Sequence, residues 1–127
     1  MRVYLAAPYT HGDRSIENAR ARAINSHAAR LMGGGHIVFS PISHSHQIAM
    51  ENDLPTTFEF WQVQNHAFID WADMVVVLAL DGWKESRGIT DEIEYAESMA
   101  KVVEIEYPVG DGTAEVQHLP ERSKSKE

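Results

Sequence analysis

Two kinds of apolar pattern alternate along this chain: short continuous runs and stripes at helical spacing. Val3-Tyr4-Leu5-Ala6 is a short apolar run closed by Ala7-Pro8, and predicts a first strand. Residues 13–32 predict a helix, with many Ala and Arg, no internal Gly or Pro, and an apolar face through Ile16, Ala19, Ala23, Ile24 and Leu31. Gly33-Gly34-Gly35 ends it, because glycine accepts the left-handed backbone of a helix C-terminus. Ile37-Val38-Phe39 predicts a second strand stopped by Pro41. Pro55-Thr56-Thr57-Phe58-Glu59 opens a further helix, with Thr56 set to cap the first turn and Glu59 to bond back to it. Residues 74–80 are apolar on both faces, which predicts the central strand of a parallel sheet. A loop over 81–87 leads into a helix reaching about Ala100, and residues 101–106 predict a last strand.

Strand–helix alternation of this kind predicts an α/β fold: a small Rossmann-like (flavodoxin-like) parallel sheet of four to five strands with helices on both faces. One domain over residues 1–108 accounts for the pattern. Beyond Pro108 the chain turns polar, and residues 109–127 read as a disordered C-terminal tail. In such folds ligands bind beyond the carboxyl ends of the strands. The segments 7–13 and 81–92 are therefore the ones to read for chemistry, with 44–55 expected beside them.

Composition narrows the function classes. The chain has 127 residues, enough for a single core and too few for two. It has no cysteine, so disulfides, thiolate metal sites and thiol nucleophiles are excluded. No apolar run approaches a membrane span, and the first residues lack the apolar stretch of a signal peptide, so a cytoplasmic protein is expected. Acidic residues outnumber basic ones 19 to 11 for a net charge of −8, which argues against a nucleic-acid polymer as partner. A small anionic ligand stays open, since backbone amides at a helix N-terminus hold a phosphate without net positive charge.

The helix after residue 87 separates its acids by phase. Ile89, Ile93, Ala96 and Ala100 define a stripe directed at the sheet. Asp91 and Glu94 fall on the far side, Glu97 at the margin, and Glu92 within about 60° of the stripe's centre. One carboxylate thus points inward, in the first turn of a helix whose N-terminus faces the expected crevice. It either complements the helix dipole or performs chemistry. Ahead of it, Ser86 and Gly88 stand at the helix entry. Ser86 is an ordinary N-cap or, with the free amides, a phosphate contact.

Taken together, these residues resemble a known family. Val3-Tyr4-Leu5-Ala6-Ala7-Pro8, Ala72-Asp73 before an apolar strand, and Ser86-x-Gly88 followed by Glu92-Ile93-x-Tyr95-Ala96 resemble the nucleoside 2-deoxyribosyltransferase superfamily, which includes the 2'-deoxynucleoside 5'-monophosphate N-hydrolases. The segment Gly82-Trp83-Lys84-Glu85-Ser86-Arg87-Gly88 is similar to a bacterial and phage branch of it, and the resemblance spans about residues 2–107. It implies that Glu92 attacks C1' of the sugar to form a glycosyl-enzyme intermediate. Ser86 stands where enzymes using free nucleosides carry an aspartate and where the monophosphate hydrolases carry a serine. An aspartate would repel a 5'-phosphate, whereas Ser86 and the Gly88 amide can donate to it. Tyr4, Ala7 and Pro8 match the loop under base and sugar, Tyr9 is a stacking group, and Gly82 and Trp83 join the substrate-binding set.

One departure bears on the chemistry. Eight residues before Asp73, where the family places an aspartate that assists the leaving base, this chain has Asn65. Asn65 interrupts an apolar stripe of Phe58, Trp61, Phe68 and Ala72, so its position suits a site, but an amide is no general acid. The family's glycine two residues after the glutamate is Glu94 here, on the exposed side. His44 and His46 have three readings: a metal pair, an acid replacing the aspartate or a phosphate contact, and plain loop histidines. A zinc site is disfavoured without a carboxylate at ligand spacing, and neither metal nor cofactor is expected. Trp61, Phe68 and Trp71 read as core or subunit-interface residues, and this aromatic density together with the resemblance implies at least a homodimer.

The expected activity is hydrolysis of the N-glycosidic bond of a (deoxy)nucleoside 5'-monophosphate. Base transfer between nucleosides and a non-catalytic nucleotide-binding module are the alternatives.

Overall fold

In a computed structural model of the protein, which describes residues 1–108, the elements run β1 (Arg2–Ala6), α1 (Arg14–Gly33), β2 (Ile37–Phe39), α2 (Pro41–Glu51), α3 (Phe58–Trp71), β3 (Met74–Leu78), a 3-10 turn (Trp83–Glu85), α4 (Arg87–Ser98) and β4 (Val102–Glu106). The four strands pair in parallel in the order β2-β1-β3-β4. From β1 the chain steps outward to β2, and from β3 it steps the other way to β4. The direction reverses between β1 and β3, the two central strands, and the carboxyl ends of that pair are where a doubly wound sheet opens a crevice. This is the expected α/β architecture with four strands. The expected tail over 109–127 lies outside the described residues.

Strand alternation divides the core. Val3, Leu5, Met74, Val76 and Leu78 face α1 and pack on Ile24 and Ala28. Tyr4, Ala6, Val75, Val77, Val103 and Ile105 face the other way, onto Ile69 and Ala72 of the α3 end and Ile89, Ile93 and Ala96 of α4. β3 is buried at all five positions, as its continuous apolar run requires.

Several local expectations are corrected. The buried side of α1 is Ala21, Ile24, His27 and Ala28, while Ile16 and Ala19 are exposed. Small alanines let the helix approach the sheet, and His27 occupies a core position because its Nε2 meets Glu106 Oε1 at 2.7 Å. A count of apolar residues cannot see that polar pair. The strand β2 is followed at once by a helix: Ser40 caps it, accepting from the Ser43 amide, and Pro41 at its first position supplies a preset φ. His44 and His46 are therefore helical residues of α2. On α3 the cap is Thr57, accepting from the Phe60 amide at 3.3 Å, in place of Thr56. Glu59 then sits too early to bond back and lies 3.8 Å from Arg87. At its other end α4 stops at Ser98, and Ala100 is exposed with φ +60°, outside the buried stripe.

The amino ends of β1 and β3 are fastened together. The Arg2 amide donates to Asp73 Oδ2 at 2.8 Å and the Asp73 amide donates to the Arg2 carbonyl at 2.7 Å. That hydrogen bond from the Arg2 backbone holds the Asp73 carboxyl below its ordinary range. The Ala72-Asp73 pair is thus a clamp at the end of the sheet away from the crevice. No helix among the described residues is long and apolar enough to cross a membrane.

The register of α1 has a direct test. Ile24→Ala removes a fully buried side chain and should lower unfolding free energy by about 3 kcal/mol in a denaturant titration. Ile16→Ala, at a position 38% exposed, should change it by less than about 0.5 kcal/mol. Equal losses at both positions would put α1 in a different rotation.

Candidate functional site

A cavity of about 780 Å³ opens at the carboxyl ends of β1 and β3. That is within the size range of sites for small organic ligands. Its walls come from the loop after β1, the first half of α1, the helix α2 and the segment behind it, one face of α3, the segment 82–86 and the first two turns of α4.

Glu92 lies in this wall at 7% exposure, on the sheet-facing stripe between Ile89 and Ala96. Ser86 starts that helix by accepting from the Ile89 amide at 3.2 Å, which fixes Glu92 in the second turn. Two donors meet the carboxylate at the same oxygen. The Tyr4 hydroxyl donates to Glu92 Oε2 at 2.9 Å, and Asn65 Nδ2 donates to it at 3.0 Å. Each donor arrives from a different element: Tyr4 from the middle of β1, where alternation turns it toward α4, and Asn65 from the half-buried face of α3.

Burial raises the Glu92 carboxyl from 4.5 to about 8, against the lowering effect of the Tyr4 hydrogen bond; the charge of Asp91 raises it further and the Asn65 bond lowers it. Tyr4 is pushed well above its ordinary value, first by burial and then by Glu92. It is held as a neutral phenol that donates. The arrangement presents one carboxylate, fixed in position and poorly solvated, to an open cavity.

The expected site residues divide into two groups. Ala7, Pro8, Tyr9, His46, Asn65, Gly82, Ser86, Gly88 and Glu92 all line the cavity, and Tyr4 reaches Glu92 from behind it. His44 and Trp83 do not line it. His44 is exposed and sits near Phe39 and Phe68, with ring centroids 5.3 Å and 6.5 Å away. Trp83 packs against the core beside α4. Conversely Trp61, expected in the core or an interface, forms part of the cavity wall, with its indole N–H donating to the Pro55 carbonyl at 3.0 Å. Asp91 is also corrected. It does not point away from the protein but accepts from Gln62 Nε2 at 2.9 Å and lies 2.8 Å from His66 Nε2, across the α3–α4 groove.

Several lining residues were not foreseen. Arg20 donates to the Thr10 carbonyl at 3.1 Å and to the Asp81 carbonyl at 2.9 Å, joining the loops that follow β1 and β3. Gly82, at φ +91°, leaves room for it: a Cβ there would lie 3.2 Å from Arg20 Nη2. Arg14 and Arg87 also reach the cavity, the latter with its guanidinium 3.9 Å over the Phe58 ring. Nothing in the sequence distinguished Arg14 and Arg20 from the other arginines of α1. Among the described residues no group of three His, Cys, Asp or Glu side chains could hold a metal ion.

The buried carboxyl has a consequence for stability. Below pH 4.5 Glu92 is protonated whether the chain is folded or not. As pH rises toward 8 the unfolded chain releases a proton that the folded chain retains, and stability falls by about 1.4 kcal/mol per unit from this group. Glu92→Gln keeps the shape and removes the ionisation. Its melting temperature should exceed the wild type's at pH 8, and the gap should close near pH 5. A gap independent of pH would mean that Glu92 is not the strained group.

Comparison with known proteins agrees with this geometry at the level of fold. The 2-deoxyribosyltransferase from the psychrotolerant bacterium Bacillus psychrosaccharolyticus superposes with a TM-score of 0.58 at 23% identity, over 87% of this chain and 74% of that one. The 2-deoxyribosyltransferase from Leishmania mexicana superposes with a TM-score of 0.56 at 16% identity, over 91% of this chain and 77% of that one. No curated protein matches the chain by sequence. Residues 1–107 match the family described as "Domain of unknown function (DUF1937)". The chain belongs to that family and carries it on the fold of the 2-deoxyribosyltransferases.

Proposed function

We propose that the protein cleaves the N-glycosidic bond of a (deoxy)nucleoside 5'-monophosphate, with Glu92 as nucleophile. The observation that carries this reading is the Glu92 carboxylate itself, buried in a cavity wall and held at one oxygen by Tyr4 and Asn65. Such an arrangement leaves the second oxygen for attack on C1' of the sugar. Because the site is poorly solvated, the ionised carboxylate gains strongly from a neighbouring positive charge. The oxocarbenium-like sugar of glycosidic cleavage develops that charge at C1'. Water then resolves the glycosyl-enzyme, and base and sugar 5-phosphate leave.

The choice of a monophosphate rests on the α4 N-terminus. Ser86 accepts from the Ile89 amide and keeps its hydroxyl proton to donate, and Arg87 and Gly88 of the first turn line the same cavity. Arg14, Arg20 and Arg87 line the cavity together with Glu17, Glu85, Asp91 and Glu92, so the phosphate contact is assigned to the helix end and not to an excess of positive charge. A second reading is base transfer, in which a free base takes the place of water. Its support is the shared fold with two 2-deoxyribosyltransferases.

The test is chromatography of free base released from ribo- and deoxyribonucleoside 5'-monophosphates, with the matching nucleosides and an added second base alongside. Release from monophosphates alone supports hydrolysis, and appearance of a new nucleoside only with the added base supports transfer. Glu92→Ala should abolish turnover while nucleotide binding persists; turnover that survives the change rules out the nucleophile.

Three further outcomes follow from the site's electrostatics. The attacking form is the ionised one, so the Glu92 ionisation by itself contributes a rise in kcat/KM of about tenfold per pH unit below about pH 8. Tyr4→Phe deletes a lowering contact, moving that rise to higher pH and reducing kcat/KM at pH 7 by about 10- to 100-fold. Ser86→Asp keeps a good N-cap, so melting temperature should hold, but it places a charge against the phosphate. Monophosphate binding should weaken by about tenfold or more, from a like charge at close range, with nucleoside binding unchanged.

A further inference from the structure

Asn65 leaves the proposed reaction without the acid that a leaving base needs, so the cavity wall is the place to look for another donor. Asn65 itself is committed to Glu92, and so is the Tyr4 hydroxyl. Asp91 has both oxygens engaged, one by Gln62 and the other by His66. Glu17 accepts from the His11 amide at 2.9 Å and lies 3.5 Å from Arg14. Glu85 stands exposed to solvent at the rim. His46 is different.

His46 lines the cavity from α2, half-buried, with its Nδ1 hydrogen-bonded to the Tyr9 hydroxyl across from the loop after β1. The two rings meet edge to face with centroids 5.2 Å apart. Burial, and then Glu17, raises the Tyr9 phenol above its ordinary value, so it stays protonated and serves as a fixed partner for the imidazole. Among the described residues nothing else holds the other ring nitrogen, Nε2. Imidazole is also the side chain suited to give and take a proton near neutral pH.

We infer that His46, positioned by Tyr9, is the general acid that protonates the leaving nucleobase, an assignment that rests on the hydrolase reading above. As a Glu92 oxygen bonds to C1', the C1'–N bond breaks and its electron pair stays on the base. His46 acts as the imidazolium, its Nδ1–H on the Tyr9 oxygen; its Nε2 proton is delivered to a ring nitrogen or carbonyl oxygen of that base, which departs neutral and leaves a neutral imidazole. In the second step water attacks C1' of the glycosyl-enzyme, its proton returns to His46, and the Glu92 carboxylate is released. Protons and electrons balance with water as the only co-reactant.

The decisive experiment compares two leaving groups on the same sugar phosphate. One is the nucleotide that the protein cleaves; the other is the 4-nitrophenyl glycoside of the corresponding pentose 5-phosphate, whose phenolate leaves without a proton. His46→Gln should slow base release by about 10²- to 10⁴-fold, while nitrophenolate release stays within about threefold of the wild type. Tyr9→Phe, which keeps the ring and loses the partner, should give the same pattern with a smaller loss. Equal losses on both substrates would make His46 a residue that shapes the pocket, and no loss on either would remove it from the reaction. Both results overturn the acid assignment and leave Glu92 standing. A wild-type protein that releases neither base nor nitrophenolate overturns the hydrolase reading and the assignment together.

Discussion

Removing a carboxylate from water is the constraint around which this molecule is arranged. Glu92 sits where the sheet, α3 and α4 converge, and its ionised form is tolerated only because a phenol and an amide donate to it. That requirement reaches far into the sequence. Tyr4 must occupy an even position of β1 so that pleating turns it toward α4, α4 must begin at Ser86 to bring Glu92 inward, and α3 must present a polar group in an otherwise apolar face. A shift of one residue in β1 or α3 would cost the acid one of its two donors, and a shift in α4 would turn it away from both.

The two ends of the sheet divide the labour of fold and chemistry. At the amino end, Arg2 and Asp73 fasten β1 to β3 by reciprocal backbone and side-chain bonds. At the carboxyl end the same strands part, and their loops turn outward around the cavity. The Ala72-Asp73 pair, which resembles part of an enzyme signature, therefore belongs to the fastening, and Glu92 with its donors to the opening. This separation follows from the reversal of chain direction between β1 and β3, which leaves their carboxyl ends uncovered by a crossover.

Much of the frame was legible in the sequence because it depends on period and punctuation. Continuous apolar runs marked β1, β2 and β3, glycines closed α1, and the phase of α4 placed Glu92 inward without any contact being known. What escaped is what depends on partners distant in sequence. His27 lies in the core because Glu106, 79 residues on, accepts it. Asp91 faces the α3–α4 groove because Gln62 and His66 meet it there, and helical phase alone assigned it to solvent. α2 was missed because Pro41 reads equally as a strand stop and as a helix start, and only the Ser40 cap decides between them. That error hid the helix that carries His46 into the cavity.

Arg20 gives the site a property that goes beyond its shape. Its guanidinium is shared between two carbonyls, one ten residues before it and one 61 residues after it in the chain. The cavity's rim is therefore tied together by contacts between segments that only the assembled β1, α1 and β3 bring into reach. It has no independent existence as a local loop motif. Any molecule that occupies the cavity draws its binding energy from the assembled state alone, so occupancy and global folding are a single linked equilibrium. The fold, in that sense, is itself part of what a ligand recognises.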